Sequence, residues 1–75
     1  MKTVDARGLQ APEPFERVVD ALTELSPGDR ILLLINQEPR PLYRFLERNR
    51  YAYQAECFAD GHFEILIWEL PGESV

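Results

Sequence analysis

The chain has 75 residues, 45% hydrophobic and 28% charged, enough for one small domain with a single modest core and too few for two. Its formal net charge of −5 works against binding a phosphate backbone, which requires clustered cations to displace counterions, so no direct nucleic-acid partner is expected. The single cysteine, Cys57, excludes an intrachain disulfide; with no apolar run near the roughly 20 residues that span a bilayer and no charged leader, the expectation is a cytoplasmic protein without a membrane partner.

From the start, Thr3-Val4-Asp5-Ala6-Arg7 alternates, which predicts a short strand with Val4 and Ala6 turned to a core. From Pro12 to about Leu25, Phe15, Val18, Val19, Leu22 and Leu25 recur at helical spacing, and Glu13, Glu16, Asp20 and Glu24 form an acidic outer side. Ser26-Pro27-Gly28-Asp29 is turn chemistry, and the apolar run Ile31 to Ile35 after it predicts a central strand. Asn36-Gln37-Glu38-Pro39-Arg40-Pro41-Leu42 opens a second helix ending near Asn49, with Asn36 or Glu38 as its cap and Leu42, Phe45 and Leu46 as its apolar stripe. Two strands, about Tyr51 to Phe58 and Phe63 to Leu70, flank the tight turn Ala59-Asp60-Gly61-His62.

The order strand-helix-strand-helix-strand-strand predicts an α+β two-layer sandwich, with both helices on one face of a mixed four-stranded sheet. Residues 1–75 are read as one domain, with 71–75 a fraying polar tail. The helices cover one side only. On the last strand Phe63, Ile65 and Ile67 would face them, leaving Leu66 and Trp68 on the open face beside Leu32 and Leu34; the reverse assignment, with Trp68 inside, is the alternative. Such an apolar patch either packs on itself and the tail or receives a partner or a second copy.

Few residues carry chemistry. Cys57 shares a strand face with Tyr53 and Ala55, the setting of an inert core thiol. His62 falls at the hairpin tip, where a lone histidine is solvated, and no metal site is expected. The backbone N–H groups near Ala11 to Glu13, with Arg7, offer an anion a helix end, weakened by prolines and by Glu13 and Glu16. Arg40, Arg44 and Arg48 repeat every four residues on the second helix, as a solvated face or a surface that steers a partner.

The segment Asp5-Ala6-Arg7-Gly8-Leu9-Gln10-Ala11-Pro12-Glu13-Pro14 resembles the motif of the TusA/SirA-like sulfur carriers, an Asp-x-x-Gly-Leu-x stretch leading into Cys-Pro-x-Pro at the mouth of the first helix. The family's cysteine position is Ala11 here, and a methyl group cannot hold the persulfide that the resemblance implies. The second motif resembles that of an uncharacterised sister family, in which Asp-His-Asp-Pro-x-Pro-Leu opens the second helix. Pro39, Pro41 and Leu42 match it, while Gln37 stands at the histidine position and Phe15 lies about where that family's other histidine falls. An amide and a phenyl ring neither titrate near neutrality nor make good metal ligands, so no cofactor is implied.

The leading reading is a non-catalytic TusA-like module that docks a protein partner or binds a small ligand. Its ligand residues would be Arg7, Gly8, Gln10, Ala11, Pro12, Gln37 and Glu38. Its partner surface would be Arg40, Arg44 and Arg48 with Leu32, Leu34, Leu66 and Trp68. Two alternatives stand beside it: a sulfur-trafficking carrier or accessory protein using Cys57, and a domain that self-associates through the open sheet face.

Overall fold

The computed structural model describes residues 1–71; the tail expected at 71–75 lies outside them except for Pro71. The elements are β1 (Lys2–Asp5), α1 (Glu13–Thr23), β2 (Arg30–Ile35), α2 (Arg40–Arg48), β3 (Tyr51–Cys57) and β4 (Phe63–Glu69). The strands form one mixed sheet in the order β1-β2-β4-β3, with β1 parallel to β2 and the other neighbours antiparallel.

Alternation decides which residues are inside. Val4 and Ala6, then Ile31, Leu33 and Ile35 of β2, then Ile65 and Ile67 of β4 are buried against Val18, Ala21 and Leu22 of α1 and Leu42 and Leu46 of α2. Every second residue of a strand points to one face, so the same alternation leaves Leu32, Leu34, Leu66 and Trp68 half-buried on the other. The helix stripes carry the complementary period, which makes the fold a two-layer α+β sandwich. α1 lies over β1 and β2 and α2 against β3, and the rings of Phe15 and Phe45 join the helices edge to face at 5.3 Å.

Element ends differ from the sequence expectation by a few residues, each for a local reason. β1 stops at Asp5 because Gly8, at φ +81°, turns the chain, although the Ala6 N–H still donates to the Leu34 carbonyl at 2.8 Å. α1 ends at Thr23, whose hydroxyl donates to the Asp20 carbonyl at 2.7 Å, and the Glu24 N–H closes the last turn. α2 starts at Arg40 with Pro39 at its N-cap and no side-chain cap, so neither Asn36 nor Glu38 caps it. Asn36 instead spends its side-chain oxygen on a contact 28 residues away.

Candidate functional site

Two strand-to-helix loops, Ala6 to Pro12 between β1 and α1 and Asn36 to Pro39 between β2 and α2, leave neighbouring parallel strands at the same sheet end. They are fastened by a long-range bond in which the Gly8 N–H donates to Asn36 Oδ1 at 2.7 Å. Between them lies a cleft of about 710 Å³. Gly8, Leu9, Gln10, Ala11, Pro12, Pro14 and Phe15 line one side, and Ile35, Asn36, Gln37, Glu38, Pro39, Pro41 and Leu42 the other.

The structure therefore brings Gly8, Gln10, Ala11, Pro12, Gln37 and Glu38 together around one space. Arg7 is not among the lining residues. Its guanidinium makes two 2.9 Å bonds to the Asp5 carboxylate, its backbone N–H donates there too, and these contacts hold the Asp5 pKa at about 2. Leu9, Phe15, Ile35, Pro39, Pro41 and Leu42 are lining residues that sequence reading assigned to turns, core or helix starts. The spacing of the two Pro-x-Pro pairs after consecutive parallel strands is the signal that could have found them.

The electrostatics of the cleft depend on missing donors. Both helix mouths open toward it, but Pro12, Pro14, Pro39 and Pro41 carry no N–H, the Glu13 N–H donates to the Gln10 carbonyl at 3.0 Å and the Arg40 N–H to the Glu38 carbonyl at 3.1 Å. These losses thin the backbone donors at the two mouths, and Glu13 and Glu16 in the first turn of α1 oppose an anion. Glu38 is the single charged residue in the lining. Tyr43 reaches it with a long 3.4 Å hydroxyl contact and Arg40 with a 3.5 Å ion pair. Burial, then the Glu38 charge, pushes the Tyr43 hydroxyl up to about 12. Its ring stacks on Tyr53 at 4.4 Å, and Tyr53 donates to Glu47 at 2.7 Å, so the carboxylate is braced from outside the cleft.

The other sequence candidates lie elsewhere. Cys57 is exposed, which corrects the expectation of a core thiol: β3 is an edge strand, and only its first three residues are half-buried. His62 is not a solvated tip residue. Its ring stacks on Phe58 at 4.7 Å, Nδ1 meets Asp60 Oδ1 and Nε2 lies 3.1 Å from Glu64 Oε2, leaving the side chain 14% exposed. The two carboxylates raise its pKa. Among the described residues no cluster of three metal-ligating side chains occurs, and no helix is long and apolar enough to cross a membrane. Arg40, Arg44 and Arg48 are exposed on α2; among the described residues only Arg40 of the three has an ion pair.

Residues 3–69 match the model of a family described as "Uncharacterized conserved protein (DUF2249)". No curated protein matches the chain. A crystal structure of a SirA-like protein from Desulfitobacterium hafniense is similar at 28% sequence identity with a TM-score of 0.81, over 89% of this chain and 95% of that one. The fold is SirA-like.

Proposed function

We propose, on the premise that this chain belongs to the uncharacterized conserved protein family DUF2249, that it is a binding module working through the cleft between its two strand-to-helix loops. One observation carries the reading: the two motif segments, nearly thirty residues apart in sequence, close on a single space and are tied by the Gly8 to Asn36 bond. A volume of about 710 Å³ lies within the range of small-molecule sites, roughly 300–1,000 Å³.

The walls indicate what the space would take. Leu9, Phe15, Leu42 and four prolines offer apolar surface, and Gln10, Asn36 and Gln37 offer carboxamides. An uncharged ligand with an apolar body and an amide-like edge fits this lining better than an anion, because four prolines thin the helix-mouth donors and the one charged lining residue, Glu38, is a carboxylate. In sulfur-carrier relatives the resemblance puts a persulfide-bearing cysteine where this chain has Ala11, so a shared scaffold supports binding here without the carrier's chemistry.

The test is a ¹⁵N-resolved NMR titration of the full chain with three size-matched aromatic probes: a neutral amide, an amine and a carboxylate. The neutral amide is expected to shift the Gly8, Gln10 and Gln37 amide signals, and Gln37→Lys to abolish the shift while leaving the rest of the spectrum in place. Absence of cleft shifts with all three probes at millimolar concentration would overturn the reading.

A further inference from the structure

We infer that Glu38 sets the specificity of the cleft, its carboxylate accepting a hydrogen bond from an uncharged N–H donor such as a primary carboxamide or an amino-substituted aromatic ring. The inference rests on the binding-module reading and names the ligand edge that such a module would recognise. The polar side chains of the lining are lopsided. Gln10, Asn36 and Gln37 are carboxamides and Glu38 is a carboxylate; among the described residues no Lys, Arg, His, Trp or hydroxyl side chain lines the space. Each glutamine brings a donor with its acceptor, and Asn36 Oδ1 is already occupied by the Gly8 N–H at 2.7 Å. Glu38 alone accepts without donating, so it is the lining group that most needs a donor from the ligand.

The carboxylate is held in place but not filled. The Tyr43 hydroxyl lies 3.4 Å from Oε2 and Arg40 Nη2 lies 3.5 Å from Oε1. Both contacts are longer than the roughly 2.5–2.9 Å of a charge-assisted bond. An ionised carboxylate offers about four lone-pair sites, so two long contacts leave acceptor capacity for a ligand. Tyr43 is itself fixed by its stack on Tyr53 at 4.4 Å and so steadies Glu38. Arg40 supplies the positive charge opposite Glu38, and a ligand cation there would sit beside a guanidinium of like sign, whereas a neutral donor would not.

Shelter makes the bond discriminating. The Glu38 side chain is 38% exposed, against 78% for Arg40. It is open enough to be reached, and sheltered enough that a methyl group in the donor's place would displace its water without replacing the hydrogen bond.

The experiment uses the full chain, labelled with ¹⁵N and ¹³C, and two probes, benzamide and acetophenone. They share a phenyl ring and a carbonyl and differ only in an amino group against a methyl group. Each is titrated to millimolar concentration while the Gly8, Gln10 and Gln37 amides and the Glu38 carboxylate carbon are followed. Benzamide is expected to bind about fivefold or more tightly, although acetophenone is the more apolar, because a bond to a charged acceptor is lost with the amino group. Benzamide should also move the Glu38 carboxylate carbon, and acetophenone should leave it in place. Glu38→Met removes the acceptor at similar length and should bring the two probes within about twofold of each other. Equal binding of the two probes to the wild-type chain, a Glu38 carboxylate carbon unmoved by bound benzamide, or a preference that survives Glu38→Met would each overturn the role of Glu38 while leaving the cleft a binding site. Cleft shifts with neither probe would overturn the binding-module reading and this inference with it. The two wild-type titrations decide the matter even if the variant fails to fold.

Discussion

The Gly8 N–H donates to Asn36 Oδ1 at 2.7 Å, joining two loops that local sequence alone would leave independent. Gly8 sits at φ +81°, where a side chain would be strained, and so aims its N–H toward the second loop without steric penalty. The bond is exposed, so its value lies in fixing loop geometry more than in stability.

Asn36→Ala is expected to lower stability by only about 0.5 kcal/mol, the low end for a hydrogen bond, and to broaden the amide signals of Gly8 through Ala11. Asn36→Asp keeps the acceptor oxygen and should preserve both. Denaturant unfolding and NMR line widths of the two variants check this. Equal behaviour of the two would mean that the bond does not hold the cleft.

His62 gives the hairpin a pH dependence whose sign follows from its neighbours. Bonding to Asp60 first and Glu64 second raises the folded-state pKa, and Arg7 adds a more distant positive charge near the same carboxylates. The stabilisation is therefore fully present below the unfolded histidine value of about 6.5 and is lost as pH rises through the higher folded value. The Asp60 pKa is lowered by the His62 backbone N–H first and the His62 ring second, so its share is present above the ordinary carboxylate range and lost as pH falls. The melting-temperature gap between wild type and His62→Asn should be widest near pH 5 to 6 and close toward alkaline pH; a gap that grows with pH would reverse the assignment.

The legible parts of this fold were those set by local period. Val4 and Ala6, the apolar run from Ile31 to Ile35, and Ile65 with Ile67 declare their inward faces by alternation, and the prolines around Ala11 and Arg40 announce two helix starts. What could not be read depended on strand order. Cys57 looked like a core residue because its strand alternates, yet β3 lies outside β4 at the sheet edge, a fact of topology that no single strand records. Asn36 has the composition of a cap, but a partner 28 residues away claims its oxygen. His62 was misread for the opposite reason: Asp60 and Glu64 stand two residues to either side, and a tight hairpin was already expected to bring them near.

Arg50 follows the C-cap of α2 at φ +63°, a left-handed conformation that costs a non-glycine residue of order 1 kcal/mol. Its guanidinium bond to the Pro71 carbonyl at 3.2 Å is exposed and returns little. Arg50→Gly should therefore raise stability by roughly 0.5–1 kcal/mol. Chemical denaturation measures it, and Arg50→Ala, which removes the bond and keeps the strain, should fall below wild type.

Cys57 tests whether sulfur has any place in this chain. It ends an edge strand, is exposed, and among the described residues its Sγ makes only a 3.7 Å contact to the neighbouring Phe58 carbonyl. An uncharged alkylating reagent should therefore label it in the folded protein within about tenfold of the rate in denaturant, and Cys57→Ser should change stability by less than about 0.5 kcal/mol. Accessibility is necessary for a carrier and not sufficient, because a persulfide-bearing thiolate also needs a positive environment, whereas the adjacent residue is Glu56. Native mass spectrometry of the untagged protein from its own host then separates the readings. A bare polypeptide mass supports the binding module. An added sulfur mass localised to Cys57 would show that the chain carries sulfur from the sheet edge, and would move the search for its function from the cleft to the far end of β3.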